Sequence, residues 1–143
     1  MILTEDTKFE INDAHWLFFS EKFFAKLSSE FLPERRHRSE DDTTQAVLDK
    51  LEWDEPGSVN TLPDRWVAEL DRVNVTRVAL MSSIPEDELS VAKAIERYPK
   101  RFVGMFMVNP LAAGGIERVK RAFGEYRLKC ACLFPAMHHY SLE

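Results

Sequence analysis

Residues 98–110, YPKRFVGMFMVNP, constrain what this chain can fold into more than any other stretch. Pro99 ends a preceding helix, and Lys100 and Arg101 make a basic, solvated corner. A nearly unbroken apolar run then extends from Phe102 to Val108 and stops at Asn109 and Pro110. A short apolar run bounded by turn signals is the pattern of a strand buried on both faces. Residues 77–85 (RVALMSSIP) and 129–135 (KCACLFP) repeat it. The prolines that close the three runs stand at 85, 110 and 135, at equal intervals of 25 residues. Such an interval holds one strand, one amphipathic helix and two short loops, which is a βα unit.

The intervals carry the expected helical spacing. Leu89, Ala92, Ile95 and Tyr98 form one apolar stripe, and Ile116, Val119, Ala122, Phe123 and Tyr126 form the next. Pro85 is expected to open the first of these helices, with Glu86, Asp87 and Glu88 at the positive end of its dipole. Upstream, Thr61 reads as an N-cap, with Pro63 early in the helix and Asp64 three residues after the cap. Trp66, Val67, Leu70 and Val73 supply that helix's apolar face, and Asn74 ends it before a strand over 75–81.

Residues 9–19, FEINDAHWLFF, read as the first strand. Simple alternation puts Ile11, Asp13, His15 and Leu17 on one face and Asn12, Ala14, Trp16 and Phe18 on the other. Phe23, Phe24, Leu27 and Phe31 then fall at helical spacing, with Pro33 as a stop. A polar excursion at about residues 32–46 contains His37, read as solvated. A short helix around Val47, Leu48 and Leu51 ends near Trp53, and residues 54–60 are turn material.

This order predicts an α/β domain of parallel (β/α) units spanning residues 1–143. Two architectures fit, an open doubly wound sheet and a (β/α) barrel. The segment 15–20 contains no glycine and no P-loop pattern occurs, so nucleotide binding is not expected. A net charge of −5 argues against nucleic acid or an anionic membrane as partner. No apolar run approaches the roughly 20 residues of a membrane span, and an acidic N-terminus is unlike a signal peptide, so a cytoplasmic address is expected. Cys130 and Cys132 lie at i and i+2 on the fourth strand and are read as reduced packing residues.

In both architectures, sites form at the carboxyl ends of the strands. Those ends bring His15, Ser82 with Ser83, Asn109, and His138 with His139, so three of the four histidines gather at one end of the predicted sheet. Imidazoles from separate strands suit zinc ligation or acid–base work. The segment DAHWLFF at 13–19 resembles the first strand of the amidohydrolase-related superfamily, whose signature is Asp-x-His-x-His. Residues 64–143, through DRWVAELDRVNVTRVALMSSIP, YPKRFVGMFMVNP and LFPAMHHYSL, are similar to the branch called amidohydrolase 2, which includes decarboxylases.

The resemblance implies the N-terminal half of a TIM-type (β/α)8 barrel acting as a metal-dependent hydrolase or decarboxylase on a small-molecule substrate. It implies His15 as a ligand to zinc or another divalent metal, and His138, His139 and Asn109 near the substrate. Leu17 stands where the second first-strand histidine belongs and cannot ligate, and Phe134 replaces a histidine found in many relatives. A full barrel takes about 250 residues, which again suggests half a barrel at 143. The chain is therefore expected to be inactive alone and to act as a homo-oligomer or with the missing half. The alternatives are a metal-free relative serving as a binding or assembly module, and a truncated product without a function of its own.

Overall fold

A computed structural model describes residues 9–31 and 40–141. Four strands, β1 (Ile11–Phe18), β2 (Val75–Ser82), β3 (Phe102–Met107) and β4 (Cys130–Cys132), form one sheet in the order β1-β2-β3-β4. Every pairing is parallel. Helices α1 (Glu21–Phe31) and α2 (Glu40–Leu51) follow β1 and pack on one another. Helices α3 (Leu62–Arg72), α4 (Glu88–Arg97) and α5 (Gly115–Gly124) alternate with the later strands, and a single turn, α6 (Pro135–His138), comes after β4. The α/β class and the repeating βα unit expected from the 25-residue spacing are both present.

One core joins the sheet to its helices. Val78 and Leu80 of β2 and Phe102 and Phe106 of β3 meet Leu70 of α3, Val91 and Ala94 of α4, and Ala122 of α5. Trp16, Trp66, Ile95 and Tyr98 pack around them. Gly104 sits at the closest approach: a Cβ there would overlap Ile95 Cδ1 and Leu128 Cδ2. Val78 and Leu80 therefore belong to the helix-covered face. By alternation the other face carries Leu17, Met81 and Met105, which the parallel register places in one row with Cys130.

Several local expectations change. β1 is not a simple alternating strand, because its register with β2 slips between Asp13 and Trp16 and again between Ile11 and Asn12. The slip is a β-bulge that re-aims side chains, and Asp13 accepts a hydrogen bond from Trp16 Nε1 at 2.7 Å although alternation had placed them on opposite faces. α2 begins at Glu40, so part of the polar excursion is helical; His37 and Pro33 lie outside the described residues.

In α4 the core-facing residues are Val91, Ala94, Ile95 and Tyr98, whereas Leu89 is 43% exposed. In α5, Ile116 is likewise outside the core at 68% exposure. Apolar residues in the first turn of each helix extend past the edge of the sheet's cover. Cys130 is exposed and Cys132 half-buried, both as free thiols, so Cys130 is not a packing residue. Burial, followed by the neighbouring Cys130, raises the Cys132 thiol above its ordinary range.

The corner at Arg101 is not simply solvated. Its guanidinium donates to the carbonyls of Thr76 (2.7 Å) and Val75 (3.1 Å) and pairs with Asp71 at 2.7 Å, fastening the start of β2 to β3 and α3. At the start of α3, Thr61 occupies the N-cap, but its side chain makes no cap hydrogen bond and turns to Ser58 O at 3.3 Å. The Asp64 carboxylate is used across helices, accepting from Arg97 Nη2 at 2.8 Å and Tyr98 Oη at 2.7 Å.

Two measurements check this packing. Gly104→Ala should destabilise the domain by about 1–3 kcal/mol, because the added methyl must displace core side chains; a chemical-denaturation midpoint reads it. The Arg97 hydrogen bond, and then that of Tyr98, hold Asp64 below the ordinary carboxylate range. A depressed carboxylate contributes stability above its unfolded pKa, about 3.9, and loses it as pH falls through the folded value. The stability difference between the natural chain and Asp64→Asn should therefore be constant from pH 7 to 5 and shrink below about pH 4.

Candidate functional site

The carboxyl ends of the strands meet helix starts, and polar groups collect there. Beyond β1, Ser20 is fully buried and its Oγ donates to Asp87 Oδ2. Asp87, at the N-cap of α4, is also fully buried and accepts from Ser90 Oγ at 2.6 Å. Ser20 Oγ in turn accepts from Phe23 N–H, so one carboxylate links the end of β1, the start of α1 and the start of α4. Beside it, Glu88 and Arg118 form an ion pair at 2.9 Å with side-chain exposures of 5% and 12%. Arg118 Nη2 also donates to the Met107 carbonyl at 2.8 Å, fixing the end of β3 to α5.

The sequence placed Glu86, Asp87 and Glu88 together in the first turn of a helix, at the positive end of its dipole. The helix instead begins at Glu88, and two of the three carboxylates are buried. Glu86 takes the turn, with φ at 70°. The Asp87-x-x-Ser90 spacing was a readable sign of local hydrogen bonding at a helix start. Nothing local announced Arg118, whose partners lie 30 and 11 residues away.

The residues singled out from sequence fall in separate places. His15 is exposed at the bulge of β1, and its backbone N–H donates to Asp13 Oδ1 at 2.9 Å. That bond, followed by the one from Trp16, holds Asp13 below the ordinary carboxylate range. Leu17 is 37% exposed. Ser83 Oγ donates to the Phe18 carbonyl at 3.0 Å, whereas Ser82 Oγ is buried and unpartnered. Asn109 Oδ1 accepts from Leu111 N–H at 3.0 Å, an Asx turn that shapes the loop after β3.

His138 is half-buried in α6, stacked with Tyr140 at 6.4 Å between ring centres and edge-on to Phe134. Its Nδ1 and the Tyr140 hydroxyl are buried without a partner. His139 closes the turn at φ 55° and is exposed.

A catalytic zinc normally takes three protein ligands. Among the described residues, no group of three or more His, Cys, Asp or Glu side chains is placed to hold a metal ion. His15 with Leu17 two residues on offers one donor, so the described residues do not fit a resident metal by themselves. The Ser20–Asp87–Ser90 cluster is sealed from solvent and so cannot touch a substrate. It is a support that sets where β1 ends and α4 begins.

Removing one partner of a buried ion pair leaves the other charge uncompensated. Glu88→Ala should therefore cost about 3–5 kcal/mol. Glu96→Ala, whose exposed pair with Lys93 lies on the same helix, should leave the melting temperature nearly unchanged. Thermal denaturation of the two variants side by side checks the contrast.

Compared with known proteins, the chain matches no family model, no curated protein and no solved structure.

Proposed function

We propose that this chain is a half-barrel unit of the amidohydrolase-related kind. In this reading it binds a small molecule at the carboxyl ends of its strands and is completed by strands added at β1 and β4. The observation that supports it most is the sequential order β1-β2-β3-β4 with α3, α4 and α5 sharing one core. A doubly wound sheet reverses its strand order at a switch point and carries helices on both faces. A barrel winds one way, with helices outside and a second layer of side chains inside. The row Leu17, Met81, Met105 and Cys130 would face that interior.

Hydrolysis or decarboxylation through a polarised carbonyl would require donors beyond those that His15 can muster with Leu17. The role assigned to the chain alone is therefore binding and assembly. Zinc or another divalent metal enters only with ligands from a complementary half. The unpartnered His138 Nδ1 and Tyr140 hydroxyl supply polar groups for a small molecule near β4, with His139 and Asn109 on neighbouring loops. Among the described residues no helix is long and apolar enough to cross a membrane.

β1 and β4 each pair on one side only within the described sheet. Open edges recruit further strands. Sedimentation velocity at micromolar concentration should show a homodimer, unchanged in mass by added zinc and free of zinc after dialysis. A compact monomer with one cooperative unfolding transition would overturn the half-barrel reading. Near-stoichiometric zinc surviving dialysis would overturn the metal-free role.

A further inference from the structure

On the helix-covered side of β1, away from α6, lies an open cavity of about 500 Å³, within the usual range for small-ligand sites. All three tryptophans of the chain line it: Trp16 from β1, Trp53 after α2 and Trp66 from α3. Trp16 meets Trp66 at 5.2 Å between ring centres and an interplanar angle of 62°. Across the cavity, Trp53 meets Phe19 at 5.4 Å and 45°, and Phe24 at 5.9 Å and 84°. None of these pairs is parallel, so the rings stand at inclined angles to one another around the cavity.

The charge around this cavity is net negative. Glu52, Asp54 and Glu69 line it with Arg65, and Glu69 also pairs with Arg72 at 2.8 Å. Arg65 is already engaged, donating to the Glu55 carbonyl and pairing with Asp54 at 3.4 Å. Asp13 carries its own carboxylate to the edge of the Trp16 indole, whose Nε1 donates to it. That contact fixes the ring and adds negative potential to its face.

We propose that this cavity binds a small organic cation of the quaternary ammonium class. A cation within about 6 Å of an aromatic ring centre is attracted by the ring's negative face, most strongly by tryptophan. A methylated ammonium is rounded, weakly hydrated and unable to donate hydrogen bonds. It therefore suits ring walls at inclined angles with carboxylates at the rim, where a flat neutral aromatic or an anion does not. The site is independent of the half-barrel reading, since its groups come from β1, α1, α3 and the segments after β1 and α2.

Because every tryptophan lines the cavity, intrinsic fluorescence reports it directly. The full chain is titrated with tetramethylammonium chloride at constant ionic strength, with sodium chloride and the neutral isostere tert-butanol in parallel. The expected result is a saturable change with tetramethylammonium alone. Trp53 is 46% exposed, so its loss should leave the fold intact by circular dichroism. Trp53→Leu should weaken binding about 3- to 30-fold, Trp53→Phe should restore part of it, and Asp54→Asn with Glu69→Gln should erase the preference over tert-butanol. An equal response to tert-butanol, or a linear response without saturation, would overturn the proposal. A trimethyllysine peptide binding more than about tenfold tighter than tetramethylammonium would replace the small molecule with a protein partner.

Discussion

The helix-side surface of β3 is the contact on which the other elements depend. Phe102, Gly104 and Phe106 present a large, absent and large side chain in succession, and Ile95, Val91 and Leu128 fill the gap over the glycine. Parallel strands cannot be joined by tight turns, so each must return through a crossover that packs on the sheet. The depth to which α4 and the segment before β4 settle onto β3 therefore sets the spacing of the whole helical layer. Arg101 and Arg118 work at opposite ends of the same strand. One fastens its start to the carbonyls of β2, and the other fastens its end to α5 and Glu88.

The two faces of the sheet are built from different materials. The helix side is a mixed aromatic and aliphatic core with tryptophans toward β1. The opposite side carries Met81, Met105 and Met107, buried yet outside that core. Methionine is unbranched and adapts to irregular neighbours. The edges differ as well. β4 has three residues and a free thiol at its start, whereas β1 is long but broken by a bulge. Short strands and bulges both limit uncontrolled pairing at an open edge.

The carboxyl ends of the strands are organised by buried charge more than by histidine. Asp87 receives two hydroxyl donors and Glu88 receives a guanidinium, and both lie at the entrance of α4. These contacts hold the β2–α4 loop in place while leaving His15 and His139 exposed.

What the sequence determined by itself was the grammar: apolar runs closed by prolines at one period, alternating with helical stripes, which dictate parallel βα units because burial on both faces and amphipathic spacing leave distinct signatures. It also located the segments after β3 and β4 that carry Asn109, His138 and His139. Only the tertiary structure decided which face each residue served. The bulge at Ala14 and His15 shifts the alternation of β1, and no local pattern encodes a slip that depends on its pairing with β2. The rotation of α4, the burial of Asp87 and Glu88, and the reach of Arg118 were likewise invisible. Each is fixed by partners many residues away, and a linear pattern records a side chain's chemistry but not what will stand opposite it. The sequence placed Trp16 on the first strand, Trp53 near a helix end and Trp66 on a helix's apolar face, and only folding brought them into one cavity.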